Sequence, residues 1–229
     1  MKHTSILLTL LTTLLLASCE SDSDYPDTQI QLYQQYEVFI QDNSKAGFAN
    51  FRNGGADGER FHLTGDSKVS VNNHRMLYTP STSADYPEFN YASFIDLTDQ
   101  KAKFEFKRSK GNTLKNEVDI SDIAYVTIPD NVRNLYNGTP VEFTLSGTLG
   151  NNDNIRVMLV PTVVTENAAT YEADVNYMNN TFTLTDVPTG RYNVRLDVVR
   201  TRPTQENDGN AGGVIRVIRR KTAVEVSVE

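Results

Sequence analysis

Imidazole is the side chain most often recruited as a general base or a zinc ligand, and the body of this 229-residue chain offers two, His62 and His74. They stand 12 residues apart, which matches no recognised zinc spacing, and no HExxH-type motif surrounds them. His62 alternates with Phe61 and Leu63 in "ERFHLT", a sheet-surface pattern, and His74 follows two asparagines in "VNNHR", a turn pattern. A histidine-based metal or catalytic site is therefore not expected. The stretches "SGTLGN" and "NGGADGE" match neither a nucleophile elbow nor a phosphate-cradling loop and read as turns. No acid–base or nucleophile set stands in a recognisable context, so an enzyme is the least favoured class and no cofactor is expected.

Binding chemistry has more candidates. Oxygen-rich stretches at 96–100, 119–122, 151–154 and 206–210 carry the Asp and Asn ligands that calcium takes. None has calcium-loop spacing, and turns recruit the same residues for backbone reasons, so turns are the first expectation and no metal site is assigned. "DYPEFNYASF" (85–94) brings Tyr86, Phe89 and Tyr91 together, an aromatic set suited either to stacking on sugar rings or to a core. "RTRPTQENDGNAGG" (200–213) is long and lacks bulky apolar residues. It reads as a floppy hairpin loop, with a recognition loop carrying Arg200, Arg202, Asn207 and Asp208 as the alternative. Arginines 191, 195, 200, 202, 216, 219 and 220 crowd the end of the chain. Arg191 and Arg195 share a parity, so with Arg216 or Arg220 they form either one basic face for an acidic partner or a solvated sheet exterior.

The only cysteine, Cys19, excludes an intrachain disulfide and raises the question of its use. Lys2 supplies a positive charge near the start, "ILLTLLTTLLL" (6–16) is apolar apart from its threonines, and small Ala17 and Ser18 precede the cysteine. That is a secretory-signal layout, too short for a permanent membrane span. Leu16-Ala17-Ser18-Cys19 resembles the lipobox of bacterial lipoproteins. The resemblance implies a signal peptide over residues 1–18 and lipidation of Cys19 as the mature N-terminus. Several acyl chains on one residue, at about 0.8 kcal/mol per buried methylene, anchor where a single chain does not. "ESDSDYPDT" buries nothing and reads as a tether, giving a lipidated N-terminus and flexible segment over residues 19–34. In lipoproteins of enteric-type bacteria, aspartate directly after the cysteine favours retention at the inner membrane. Glu20 stands there instead, so the expected address is the cell envelope, lipid-anchored at the outer membrane. The periplasmic face and the cell surface both stay open.

The formal charge is −7, from 22 basic and 29 acidic side chains. With no tryptophan and no basic run beyond "RRK", nucleic acid is an unsuitable partner. The expected partners are the membrane, through the anchor, and an envelope protein or polysaccharide.

Every candidate above must be held by strands, because period-two alternation dominates from residue 36. "KFEFKR" is the clearest case, with Phe104 and Phe106 facing one way and Lys103, Glu105 and Lys107 the other. "IPDNVRNLYNGTP" (128–140) has a linker's composition. It divides the body into a β-sandwich over 35–130, a linker over 131–140, and a second sandwich over 141–229. One large sandwich is the alternative. Near the C-terminus Ile215 and Val217 have odd parity, whereas Val224, Val226 and Val228 have even parity. One strand buries a single parity, so "RRKT" (219–222) must hold a bulge or a change of sheet.

"NTFTLTDVPTGRYNVRLDVVR" runs strand, corner, strand, with Pro188 and Gly190 at the corner and Tyr192 just beyond. It resembles the E–F corner of immunoglobulin-like sandwiches and the turns of transthyretin-like modules. The resemblance implies two tandem immunoglobulin-like, antiparallel all-β sandwiches, with Tyr192 hydrogen-bonded back to the corner. It speaks for fold and not for function. The functional expectation is a non-catalytic binding or structural module of the cell envelope, with a glycan- or cation-binding adhesin or capture protein as the alternative.

Overall fold

The computed structural model describes residues 30–79, 89–97, 99–109, 111–163, 169–221 and 223–229. None of them is helical. The strands are β1 (Leu32–Gln41), β2 (Ser44–Asn53), β3 (Lys68–Val71), β4 (His74–Arg75), β5 (Leu77–Tyr78) and β6 (Tyr91–Phe94). They continue with β7 (Lys101–Lys107), β8 (Thr113–Asp119), β9 (Tyr125–Thr127), β10 (Asn134–Leu135), β11 (Val141–Glu142) and β12 (Thr144–Ser146). The rest are β13 (Asp153–Pro161), β14 (Tyr171–Glu172), β15 (Asp174–Asn176), β16 (Thr181–Thr183), β17 (Gly190–Pro203), β18 (Gly213–Arg220) and β19 (Val224–Val228). The molecule is thus all-β, with several sheets in a sandwich-like arrangement.

Local chemistry sets the hairpins. Asn72 and Asn73 both take positive φ (46° and 66°), the geometry of a two-residue turn whose twist matches that of β3 and β4. Asparagine tolerates it because its short side chain bonds locally. Here Asn72 bonds the backbone of Asp96, Lys101 and Lys103 and ties this turn to the next strand. Asp42, at φ 48°, begins the turn from β1 into β2.

The main sheet has ten strands in the order β10-β19-β17-β18-β1-β2-β6-β5, with β13 on the other edge of β17 and β14 beyond it. A four-stranded sheet, β4-β3-β7-β8, faces β1 and β2. The aromatics of the "KFEFKR" strand close that interface: Phe104 stacks on Tyr36 at 4.5 Å and Phe106 meets Phe51 at 4.5 Å. Burial of such rings, about 1.5–3 kcal/mol for a side chain of this size, is the main force holding the two layers. Two smaller sheets, β11-β16-β15 and β12-β9, add Phe182, Leu145 and Val126 to the same hydrophobic cluster.

Two findings differ from the sequence expectation. The sheet is mixed, because β1 pairs with β18 in parallel over eight positions, from Gln34↔Gly213 to Gln41↔Arg220, and β10 pairs with β19 in parallel. The division at 131–140 also marks no break in the sheet. β1 belongs to the first block and β18 to the second, and one cluster holds Tyr36 and Phe104 together with Leu159 and Val226. Alternation tells which face a strand buries and not which edge it joins, so a pairing across 180 residues leaves no local trace.

The expected break in the last run is a one-residue bulge. β17 pairs with both halves of that run, as Asp197↔Arg220 in β18 and Val194↔Val224 in β19. Three steps along β17 therefore match four along its partner, and the inward face passes from Ile215 and Val217 to Val226 and Val228. At the corner, Tyr192 is buried and its hydroxyl donates to the Pro188 carbonyl at 2.9 Å. A Cβ on Gly190 would stand 3.4 Å from the Tyr192 ring, so the glycine gives that ring its seat.

Candidate functional site: a cation-lined groove where β18 breaks

The bulge creates the most distinctive feature of the surface. Just before it, Arg219 has the odd parity of Ile215 and Val217 and so points to the inward face of β18. There β9 crosses β17 and β18 and places Tyr125 against it. The Arg219 guanidinium lies 4.2 Å from the Tyr125 ring centroid, and the Lys221 ammonium lies 5.1 Å from the same ring. Arg219 Nη1 donates to the Ile123 carbonyl. No carboxylate among the described residues contacts this guanidinium. Burial holds Arg219 below the ordinary arginine range, against the opposing effect of the Tyr125 hydroxyl.

Three hollows meet at this side chain. The largest, about 550 Å³, is walled by residues 121–125 and 146–150. Gly147 allows its wall to form: its φ is +106°, and a Cβ there would already touch Ala124 at 3.4 Å. A second, about 90 Å³, lies between Tyr125, Lys221 and Asp42. The third, about 270 Å³, runs from Arg219 to Lys45 past Asn43 and Gln100. Together they form a polar groove with Lys45, Arg219 and Lys221 along it. Its acids are compensated: Asp122 accepts from Arg200 at 2.5 Å, and Asp42 lies 3.9 Å from Lys221.

Most of the residues singled out from the sequence serve the fold instead. Arg200 is buried and binds Asp153 through Nε and Nη2 at 2.6 and 2.8 Å. Burial opposes ionisation of Asp153, but the Arg200 hydrogen bonds and the Gly150 N–H prevail and hold its carboxyl below the usual range. Asp208 pairs with Arg108 at 2.6 Å and accepts the Leu32 N–H at 2.7 Å. Asn207 accepts from the Thr204 hydroxyl. The 204–212 loop is therefore not floppy. Asn116 Oδ1 takes the N–H groups of Gln205 and Glu206 at 2.7 and 3.0 Å, and Gln34 donates to the Glu206 carbonyl. This buried amide pair fastens the loop onto β8. Arg202 is exposed at the end of β17.

The aromatic set divides. Phe89 and Tyr91 are buried, the latter accepting the Leu63 N–H at 2.8 Å, and Tyr86 and Cys19 lie outside the described residues. The arginine face is compensated by its cross-strand neighbours. Arg216 stands beside Glu37 and Arg220 beside Asp197 in the ladder, and each forms an ion pair there. Arg191 lies 3.6 Å from Glu225. His62 stacks on Tyr78 at 4.1 Å, and His74 is exposed after its turn. Among the described residues no group of three or more His, Cys, Asp or Glu is placed to hold a metal ion, and no helix is long and apolar enough to cross a membrane.

The sequence names Arg219 only as one of a crowd and does not single out Tyr125. The available signal was parity: a charged residue in the inward row of a strand is either paired or functional. No protein-family model matches this chain, and no curated protein matches it.

Proposed function

We propose that this protein is a lipid-anchored component of the bacterial cell envelope, tethered through Cys19, whose β-sheet body is a non-catalytic binding module for an anionic ligand. The observation that carries the binding reading is Arg219, a half-buried guanidinium facing an open groove with no acid in contact among the described residues. Arg200, which is deeply buried, is matched by carboxylates. A desolvated cation without a counter-ion is costly to maintain in a protein that is acidic overall, and a bound anion removes that cost. Leu16-Ala17-Ser18-Cys19 and the acidic "ESDSD" behind it support the anchor, and Glu20 supports the outer membrane.

Both halves are testable. Cys19→Ala is expected to release soluble protein or leave an unprocessed precursor on fractionation, and a mature, membrane-bound Cys19→Ala form would refute the anchor. For the groove, millimolar sulfate is expected to raise the melting temperature above that in chloride of equal ionic strength, because a ligand of the native state stabilises it. Arg219→Gln is expected to remove that difference. An equal response in the two proteins would refute the groove as the anion site.

A further inference from the structure

We infer that the groove takes a uronic-acid glycan, with Arg219 on the sugar carboxylate; this rests on the anion-site reading above and narrows it to a ligand class. The walls supply the rest of the recognition. The Ser146 and Thr148 side chains are exposed and their hydroxyls make no hydrogen bond among the described residues, and Ser121, which donates to Asp119 at 2.6 Å, keeps its lone pairs. These hydroxyls, together with Asn43 and Gln100 in the third hollow, suit a ligand that carries hydroxyl groups on all sides. Leu149 and the buried Ile123 and Ala124 give the main hollow a small apolar floor for the C–H face of a pyranose. Its volume of about 550 Å³ is that of a site for a small molecule or a short segment of a polymer.

Charge is spread over adjoining hollows. Arg219 shares the third with Lys45 and the second with Lys221, which lies 3.9 Å from Asp42, and cations in successive hollows suit a polymer bearing one carboxylate per unit. An acidic peptide would present the same carboxylates, but the walls offer it no deep apolar slot for side chains and a surplus of hydroxyls.

The test is calorimetric titration of the full-length protein in detergent with oligogalacturonate, with the same oligosaccharide after reduction of its carboxyls, and with poly-glutamate. Oligogalacturonate is expected to bind, and the reduced form to bind about tenfold more weakly or worse, the loss expected for a charge-assisted hydrogen bond. Arg219→Gln and Lys45→Gln are each expected to weaken oligogalacturonate binding, whereas Arg202→Gln, outside the groove, leaves it unchanged. Lys45 is exposed to solvent in part, so its variant keeps the test open if Arg219→Gln does not fold. Equal binding of the reduced glycan, or unchanged binding by both groove variants, would overturn the inference. Poly-glutamate binding in place of oligogalacturonate, with Arg219-dependent sulfate protection intact, would overturn the glycan assignment and leave the anion site standing. Loss of the sulfate response as well would overturn both.

Discussion

Arg200 and Tyr192 illustrate two ways in which β17 spends its polar groups. Arg200 and the Asp153 side chain are 2% and 0% exposed, so neither is solvated if the other is removed. Arg200→Met is expected to cost about 3–5 kcal/mol by leaving a buried carboxylate unpaired, whereas the double replacement with apolar residues is expected to cost much less. Urea denaturation of the two variants checks the difference. Because the folded pKa of Asp153 is depressed, its stabilisation is complete above the unfolded value, about 3.9. It fades as pH falls through the lower folded value. Asp153→Asn is expected to flatten the acid side of the stability profile. Tyr192 makes a smaller contribution: Tyr192→Phe removes one hydrogen bond to the Pro188 carbonyl, at about 0.5–1.5 kcal/mol.

At the scale of elements, the bulge between β18 and β19 decides what the last strand buries. Deleting Ala223 would remove the extra residue and give Val224, Val226 and Val228 the parity of Ile215 and Val217, so they would stay inward in a regular ladder with no bulge. Val226 and Val228 are buried to within 2%, and each forfeits about 1.5–3 kcal/mol when exposed. Because the deletion keeps both valines inward, that variant is expected to retain its cooperative urea transition, and loss of the transition would show that the last strand had not kept this register. The 204–212 loop is the second such element. Asp208→Ala leaves Arg108 buried and frees the Leu32 N–H, so faster amide exchange at Leu32 and a loss of about 3 kcal/mol are expected.

For the whole molecule, the parallel β1–β18 pairing governs independence of the parts. A fragment over residues 131–229 keeps β17, β18 and β19 but lacks β1, leaving the edge of β18 unpaired and Ile215 and Val217 without Tyr36 and Val38 beside them. It is expected to show fast amide exchange throughout "VRLDVV" and no cooperative transition. The intact body is expected to unfold in one step. A protected, cooperative fragment would show that the sheet tolerates loss of its central strand.

What the sequence determined by itself was everything that depends on residues near one another. Alternation in "KFEFKR" marks Phe104 and Phe106 as inward. The parity change between Ile215/Val217 and Val224/Val226/Val228 demands a bulge, and the glycine and tyrosine after Pro188 outline the corner. These follow from the two-residue period of a strand, which is a local property. The tertiary structure alone decided which edges meet. The pairing of β1 with β18, the docking of the 204–212 loop by Asn116 and Gln34, and the crossing of β9 over Arg219 all join positions about 80 to 180 residues apart. A strand's edge presents the same N–H and C=O groups whatever its side chains, so only the summed packing of the whole chain selects a partner. The groove exists because of that selection. Arg219 acquires its setting, against Tyr125 and the Ile123 carbonyl, from the strands folded around it, and no spacing within the chain could announce it.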